Sequence, residues 1–394
     1  MATLLLVLIY IAFISLGLPD ALLGAGWPAM QPEFGVSYGF AGFVSMIISG
    51  GTIVSSIFSS RVLRRFGTGR VTAASVGLTA VALFGFSFAP SFIWLLFFAV
   101  PLGLGAGAVD AGLNAYVAAQ YESRHMSWLH SFWGIGALSG PLVLSSLFTR
   151  GLPWRGAYLA IGVLQVVLVL ALIVAVPLWN RVRSLKTEVT VTSDGDRDHE
   201  KPHQPLFFAL RIRGVKVALV AFLCYCGIES TMGLWGGSFL FKTKGLDAST
   251  AAAWVSLFYA SITAGRFVTG FITYRLKNET LIRAGAIIVM MGVAVMLAPL
   301  DLSFTLMGFI LVGFGCAPIY PCMLHETPRR FGVDNAQAIM GFQMAVAYVG
   351  ATFLPPLFGF IATATTLSLL PLFLIVYVVL LFTSTIALGR KLRG

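Results

Sequence analysis

The chain has 394 residues, of which 58% are hydrophobic and only 10% are charged, and its mean hydropathy is +0.90. A soluble domain carries about 25% charged residues, so this composition excludes a soluble globular protein. Apolar runs of about 20 residues recur from end to end, which is the length of a bilayer-spanning helix. The short alternating segments of a membrane β-barrel are missing. The sequence therefore predicts an all-α membrane protein.

The net charge of +11 would suit a nucleic-acid-binding protein, but the distribution of the basic residues indicates another cause. Twelve spans with both termini on one side place 21 of the 26 Lys and Arg residues on that side. Because basic connections stay on the cytosolic side of a membrane, the charge predicts cytoplasmic termini. We therefore expect a multi-pass protein of the cell membrane, the inner one in a cell with two, with the lipid bilayer and not a nucleic acid as its partner.

The first predicted span, 3–30, carries an acid in its interior, which costs at least a few kcal/mol and marks a functional site by default. Asp20, Gly24, Trp27 and Gln31 share one helical face by their spacing. A small residue beside an acid is typical of a cavity wall or a close helix contact. We therefore predict that Asp20, Trp27 and Gln31 bind substrate. The alternative is that Asp20 hydrogen-bonds a neighbouring helix and has a structural role only.

The fourth span contains GLGAGAVDAGLNAYVAAQ, residues 103–120, with Asp110 and Asn114 one helical turn apart. A carboxyl group in an apolar span can carry a proton across the membrane, so we assign this pair to proton coupling. His130, near the inner end of span five, is a further candidate for a proton relay, or else an interfacial histidine. Tyr116 and Trp133 lie deep enough in their spans to pack against a substrate.

A polar segment, residues 184–205, interrupts the hydrophobic pattern and is interpreted as a flexible cytosolic linker. It predicts an N-terminal six-helix bundle (1–183), a linker (184–210) and a C-terminal six-helix bundle (211–394). The two bundles resemble each other locally: GLPDALLGAGW in span 1 matches GIESTMGLWGG in span 7, and both span 2 and span 8 end in basic turns. Such duplication predicts two pseudo-symmetric halves with a substrate site between them.

The second half contributes Glu229, the third acid well inside a span, and Arg266, the only basic residue deep in one. We predict that these two residues pair, which would neutralise both charges and be a structural arrangement. Glu229 is also a candidate for substrate binding, together with Tyr259 and Gln343. The four cysteines all fall in spans and are interpreted as buried core residues, not as disulfides or a metal site.

The chain lacks the GxxxxGK loop of ATP-driven pumps, the zinc-binding HExxH and the nucleophile elbow of hydrolases. We therefore expect neither an enzyme nor a bound cofactor or metal. The energy for any transport would come from an ion gradient.

Twelve spans, a central cytosolic linker and the turn SRVLRRFGTGR (60–70) resemble the major facilitator superfamily. In the family signature G-x-x-x-D-R-x-G-R, this turn keeps Arg65 and Gly67 but has Arg64 in place of the Asp. GLPDALLG in span 1 and the span-four pattern GxGxxx(D/E)xxxN resemble the fucose/galactose/glucose–proton symporters. That resemblance implies that Asp20 is linked to substrate and that Asp110 carries the coupled proton. GIGALSGP in span five resembles the core of the drug–proton antiporter motif.

We therefore expect a secondary transporter that takes up a sugar or similar small polar solute with protons by alternating access, acting as a monomer. Two alternatives stay open: a proton-coupled antiporter that exports drugs or metabolites, and a membrane receptor or scaffold that transports nothing. Na⁺ in place of H⁺ also stays open.

Overall fold

The computed structural model describes residues 2–121, 123–190, 206–273 and 275–393. These residues form α-helices joined by short turns: α1 Ala2–Asp20, α2 Leu22–Phe34, α3 Phe40–Phe66, α4 Thr68–Ser87, α5 Phe92–Gln120, α6 Ser123–Thr149, α7 Arg155–Thr190, α8 Val215–Lys244, α9 Ala248–Ile272, α10 Asn278–Leu297, α11 Leu302–Cys316, α12 Ile319–Phe331, α13 Val333–Ala364 and α14 Leu370–Arg393. Twelve spans in this part of the chain are long and apolar enough to cross a membrane, two of which join a pair of helices. The all-α membrane fold predicted from the sequence is confirmed.

The first and tenth spans are each broken in the middle, which the hydropathy pattern does not predict. The break after α1 follows Pro19, which has no N–H to donate to the carbonyl of Ser15. The side chain of Gln165 donates to that carbonyl instead, at 3.0 Å. In the tenth span, α11 and α12 are separated at Ala317 and Pro318 for the same reason. The first break places the end of a helix directly beside Asp20.

Helices α1–α7 form one half of the molecule and α8–α14 form the other. Within the first half, α4 packs against α5 and α7, and α1 packs against α6. In the second half, α10 packs against α11 and α14, and α8 packs against α13 and α14. The four cysteines are buried and unpaired, as predicted. Residues 191–205 of the predicted linker lie outside the described part of the chain; α7 extends to Thr190, and a 3₁₀ helix covers Leu206–Arg211.

The two halves meet at the ends of the helices opposite the termini; we call this the outer side and the side with the termini the inner side. The hydroxyl groups of Ser145 and Ser249 lie 3.2 Å apart, near the outer ends of α6 and α9. The backbone N–H of Gly39 donates to the hydroxyl of Thr363 at 3.0 Å, close to the outer end of α13. The structure therefore describes a state in which the halves are closed on the outer side.

Candidate functional site

The site is centred on Asp20 at the end of α1, in the middle of the first span. The indole N–H of Trp133 on α6 donates to the Oδ2 atom of Asp20 at 2.7 Å. The side chain of Asp20 is nevertheless exposed, although it lies at the depth of the membrane interior. Because Trp133, the donor to Asp20, also contacts Tyr259 and Arg266 of the second half, we infer that the exposed side chain of Asp20 faces a cavity between the two halves.

The second half presents its own acid, Glu229, to the same region. The guanidinium of Arg266 on α9 lies 3.7 Å from Glu229 Oε1, so the two residues form an ion pair. The hydroxyl of Tyr225, one turn earlier on α8, donates to Glu229 Oε2. Both charged side chains are less than one fifth exposed, and each has an opposite charge beside it. Glu229 is thus held by two groups of its own half.

Trp133 links the two acids across the boundary between the halves. The guanidinium carbon of Arg266 lies 5.5 Å from the centre of the Trp133 ring, within cation–π range. The ring of Tyr259 meets Trp133 edge-on at 6.5 Å. Asp20, Trp133, Tyr259, Glu229 and Arg266 therefore form one cluster, which we call the central cluster. It combines carboxylate acceptors, an indole donor and aromatic faces, the groups that orient a polar solute in a largely apolar pocket.

Asp110 forms a second polar centre on α5. The side-chain amide of Asn114 donates to Asp110 Oδ1 at 2.8 Å, as their spacing of one turn suggests. The hydroxyl of Tyr348 on α13, in the other half, lies 3.5 Å from Asp110 Oδ2. Asp110 is half-buried. A change in the charge of this carboxyl group would therefore alter its hydrogen bonds to both halves, through Asn114 and Tyr348.

The remaining predicted site residues do not join the central cluster. Trp27 is fully buried and donates to the carbonyl of Tyr38, so it packs the outer end of the first half. Gln31 donates to the carbonyl of Val36 at the same end. Gln343 is buried and bonded to Thr327 within the second half. Trp27 and Gln31 follow Asp20 by seven and eleven residues, which at a rise of about 1.5 Å per residue places them roughly 10 and 16 Å further along the helix, toward the outer end.

Two further predicted residues lie on the inner side of the first half. Tyr116 packs against Trp179 with ring centres 4.6 Å apart. His130 is half-buried and packs edge-on against Phe13, with ring centres 6.0 Å apart. Both residues therefore take part in the packing between helices of their own half.

Tyr225 and Tyr348 are contacts of the acids that the sequence analysis missed. Tyr225 precedes Glu229 by one helical turn, so an i, i+4 search around each intramembrane acid would have found it. Tyr348 is distant from Asp110 in the sequence, and no local pattern indicates the contact.

Two halves of six spans each, with acids facing a membrane-embedded interior, define a polytopic membrane transporter. The family model of the Major Facilitator Superfamily matches residues 9–355, so the chain belongs to this superfamily. It is a transporter of small solutes and not an enzyme.

The chain is similar to several proteins, and the transporters among them are named for different substrates. It is 24% identical to "Bypass of stop codon protein 6" of Saccharomyces cerevisiae, over 92% of this chain and 78% of that protein. It is 25% identical to the glucose/mannose transporter GlcP of Bacillus subtilis, over 73% of this chain and 69% of that protein. The solved structure of a point mutant of nucleoside transporter NupG has a TM-score of 0.74 at 13% identity and covers 97% of this chain and 98% of that one. At this identity the structural match concerns the fold alone.

Proposed function

We propose that the protein takes up a sugar or similar small polar solute together with protons, by alternating access between its two halves. The observation that carries this proposal is the central cluster, in which Asp20 faces a cavity and the second acid is neutralised by Arg266. A carboxylate accepts hydrogen bonds from hydroxyl groups strongly in a dry site. The similarity to a glucose/mannose transporter supports a hydroxyl-rich solute.

Asp110 is the proposed carrier of the coupled proton. It has a single close amide donor, Asn114, and its other oxygen faces Tyr348 of the opposite half. Neutral Asp110 would let the halves move past each other without exposing an unpaired charge to the membrane interior. Proton release on the inner side would then reset the cycle. His130 stays a proposed relay, and Na⁺ in place of H⁺ stays open.

The test is transport in proteoliposomes, with a panel of labelled sugars and an imposed pH gradient. Wild-type protein is expected to concentrate one of them only when the gradient is present, and a protonophore should abolish the accumulation. Asp110→Asn is expected to keep exchange of that sugar between the two sides and to lose uphill accumulation. Asp247→Asn is the matched control, since Asp247 is an exposed acid that caps α9 and Asn also caps well.

The alternatives give different results in the same vesicles. Solute movement against the direction of the proton flux would identify a proton-coupled antiporter that exports drugs or metabolites, which the GIGALSGP segment of α6 favours. Binding without flux would identify a receptor or scaffold. Accumulation by Asp110→Asn at the wild-type level would show that another group carries the proton.

A further inference from the structure

A groove on the membrane-facing surface lies between α4 and α7, away from the central cluster. Its volume is about 640 Å³. Small residues of α4 form one wall and β-branched residues of α7 form the other: Ala73, Ala74 and Gly77, and Val169, Ile173 and Val176. A side chain added at Gly77 would meet no heavy atom within 4 Å, so this stretch of the groove is open. Ile173 is 54% exposed within a membrane span, which places the groove against lipid.

The inner end of this groove is basic. Arg70, in the first turn of α4, lines it and is exposed. Three more arginines, Arg61, Arg64 and Arg65, are exposed near the end of α3, a few residues before Arg70. None of the carboxylates in the described part of the chain forms an ion pair with any of these four arginines. This is the turn in which Arg64 stands where the family signature has an acid, so its positive charge is left for an external anion.

We propose that the groove binds one anionic phospholipid from the inner leaflet, with an acyl chain between α4 and α7 and the phosphate on Arg70. The apolar walls match a hydrocarbon chain and leave its end in the bilayer. Arg70 lies at the depth where a headgroup would sit, because it is the third residue of the span that begins at Thr68. The N–H groups at the start of α4 have no side-chain cap and add positive potential at the same place. Arg61, Arg64 and Arg65 favour a headgroup with net negative charge.

The proposal commits to a lipid and not to a soluble anion, because the groove is longer than the basic patch and faces hydrocarbon. A free phosphate would contact Arg70 alone, and its binding would not depend on the open space beside Gly77. Lipid binding here is independent of the transported solute, and it can be measured without transport.

The experiment is native mass spectrometry of the delipidated full-length protein, titrated with dioleoylphosphatidylglycerol or dioleoylphosphatidylcholine. Wild-type protein is expected to bind the first phosphatidylglycerol more tightly than phosphatidylcholine. Arg70→Gln is expected to weaken that binding about fivefold, the effect of losing one basic residue near an anionic headgroup. Gly77→Leu fills the groove and is expected to abolish saturable binding of the first lipid. The matched controls are Arg390→Gln, an exposed arginine at the end of α14, and Gly270→Leu, an open membrane-facing glycine of α9.

A phosphatidylglycerol with a photoreactive acyl chain locates the lipid directly and should label α4 and α7. Equal binding of the two lipids by wild-type protein, or unchanged binding by both Arg70→Gln and Gly77→Leu, would overturn the proposal. Displacement of the lipid by inorganic phosphate at millimolar concentration would instead identify a soluble-anion site. Labelling confined to other helices would place the lipid elsewhere.

Discussion

Asp20 and Glu229 hold corresponding positions in the two halves, yet their surroundings differ. Each acid is followed four residues later by a glycine, Gly24 or Gly233. Glu229 is paired with Arg266, whereas the close donor to Asp20 is the neutral indole of Trp133. By sequence position, the residue of the first half that corresponds to Arg266 is Thr52. Each of them directly follows a glycine, and that glycine lies ten residues before the first arginine of the basic turn of its own half. Thr52 bonds backbone carbonyls and brings no charge. Of the two acids, Glu229 therefore has a basic partner and Asp20 has a neutral donor, which is why we propose that the charge of Asp20 serves a ligand.

Asp20→Asn is expected to weaken solute binding by at least roughly tenfold while the protein remains folded. An amide keeps the size of the side chain and an oxygen acceptor, but it loses the charge that strengthens hydrogen bonds from hydroxyl groups. The measurement is substrate-dependent thermal stabilisation of the purified protein, which reports ligand binding to the folded state. Wild-type affinity in an Asp20→Asn protein of wild-type stability would assign Asp20 a structural role only.

Arg266→Gln alone is expected to destabilise the second half more than the double substitution Glu229→Gln with Arg266→Gln. Removal of one partner leaves the other charge unpaired in the interior, at a cost of about 3–5 kcal/mol when the site is buried. The double substitution removes both charges and should recover much of that loss. A double-mutant cycle of unfolding free energies measures the coupling. Additive effects would show that the 3.7 Å contact contributes nothing to stability.

At the scale of helices, the outer contact between the halves relies on glycine. An added Cβ at Gly24 of α2 would lie 2.1 Å from the carbonyl oxygen of Gly233 on α8. Gly24 and Gly233 are corresponding residues of the two halves, so this contact lies where the two repeats face each other. Gly237 approaches the carbonyl of Gly24 in the same way. Helix backbones can come this close only where side chains are absent.

Gly24→Ala is therefore expected to push the halves apart and to favour the state that is open on the outer side. Ser145, buried against Ser249 in the closed outer contact, provides a reporter when replaced by Cys. A membrane-impermeant thiol reagent on the outer side should label this Cys about fivefold faster for each ~1 kcal/mol by which the substitution shifts the free-energy difference toward the outer-open state. The four native cysteines are buried and give little background.

Two glycines of the first half serve as controls for this experiment. Gly26 lies on the same helix, and the added Cβ of Gly26→Ala would lie 3.4 Å from the side chains of Leu144 and Met30, an ordinary van der Waals distance. This variant should leave the labelling rate unchanged. The added Cβ of Gly103→Ala would lie 2.1 Å from the carbonyl oxygen of Ile48, which belongs to the same half. This variant should therefore lower the thermal stability without making the labelling of the Cys at position 145 faster. Equal labelling of the Gly24→Ala and Gly26→Ala proteins would refute a role of Gly24 in outer closure.

At the scale of the whole molecule, the basic residues predict that the inner side, which carries both termini, is cytosolic. Ser37 lies in the outer turn between α2 and α3, and Lys391 lies near the end of α14; both are exposed. Single Cys substitutions at these positions should react with an impermeant reagent from opposite sides of sealed, oriented vesicles. Reaction from the same side would contradict the twelve-span topology.

The sequence by itself determined the fold class, the spans and the positions of the three intramembrane acids. Hydropathy and charge suffice for this, because a bilayer requires long apolar helices and makes each buried acid costly. The pairing of Asp110 with Asn114 also follows from the sequence, since residues one turn apart on a helix are neighbours.

Only the tertiary structure decided which of these residues meet. The pattern of span 1 placed Trp27 and Gln31 on the face of Asp20, but their side chains bond the carbonyls of Tyr38 and Val36 at the outer end of the first half. Tyr348 reaches Asp110, and Trp133 lies between Asp20 and Arg266, only because the packing of the two halves brings distant helices together. Spacing along a chain describes one helix at a time, whereas the crossing of helices depends on close contacts between distant residues. The contact of Gly24 with Gly233 is an example, because no local sequence pattern indicates that these two glycines meet.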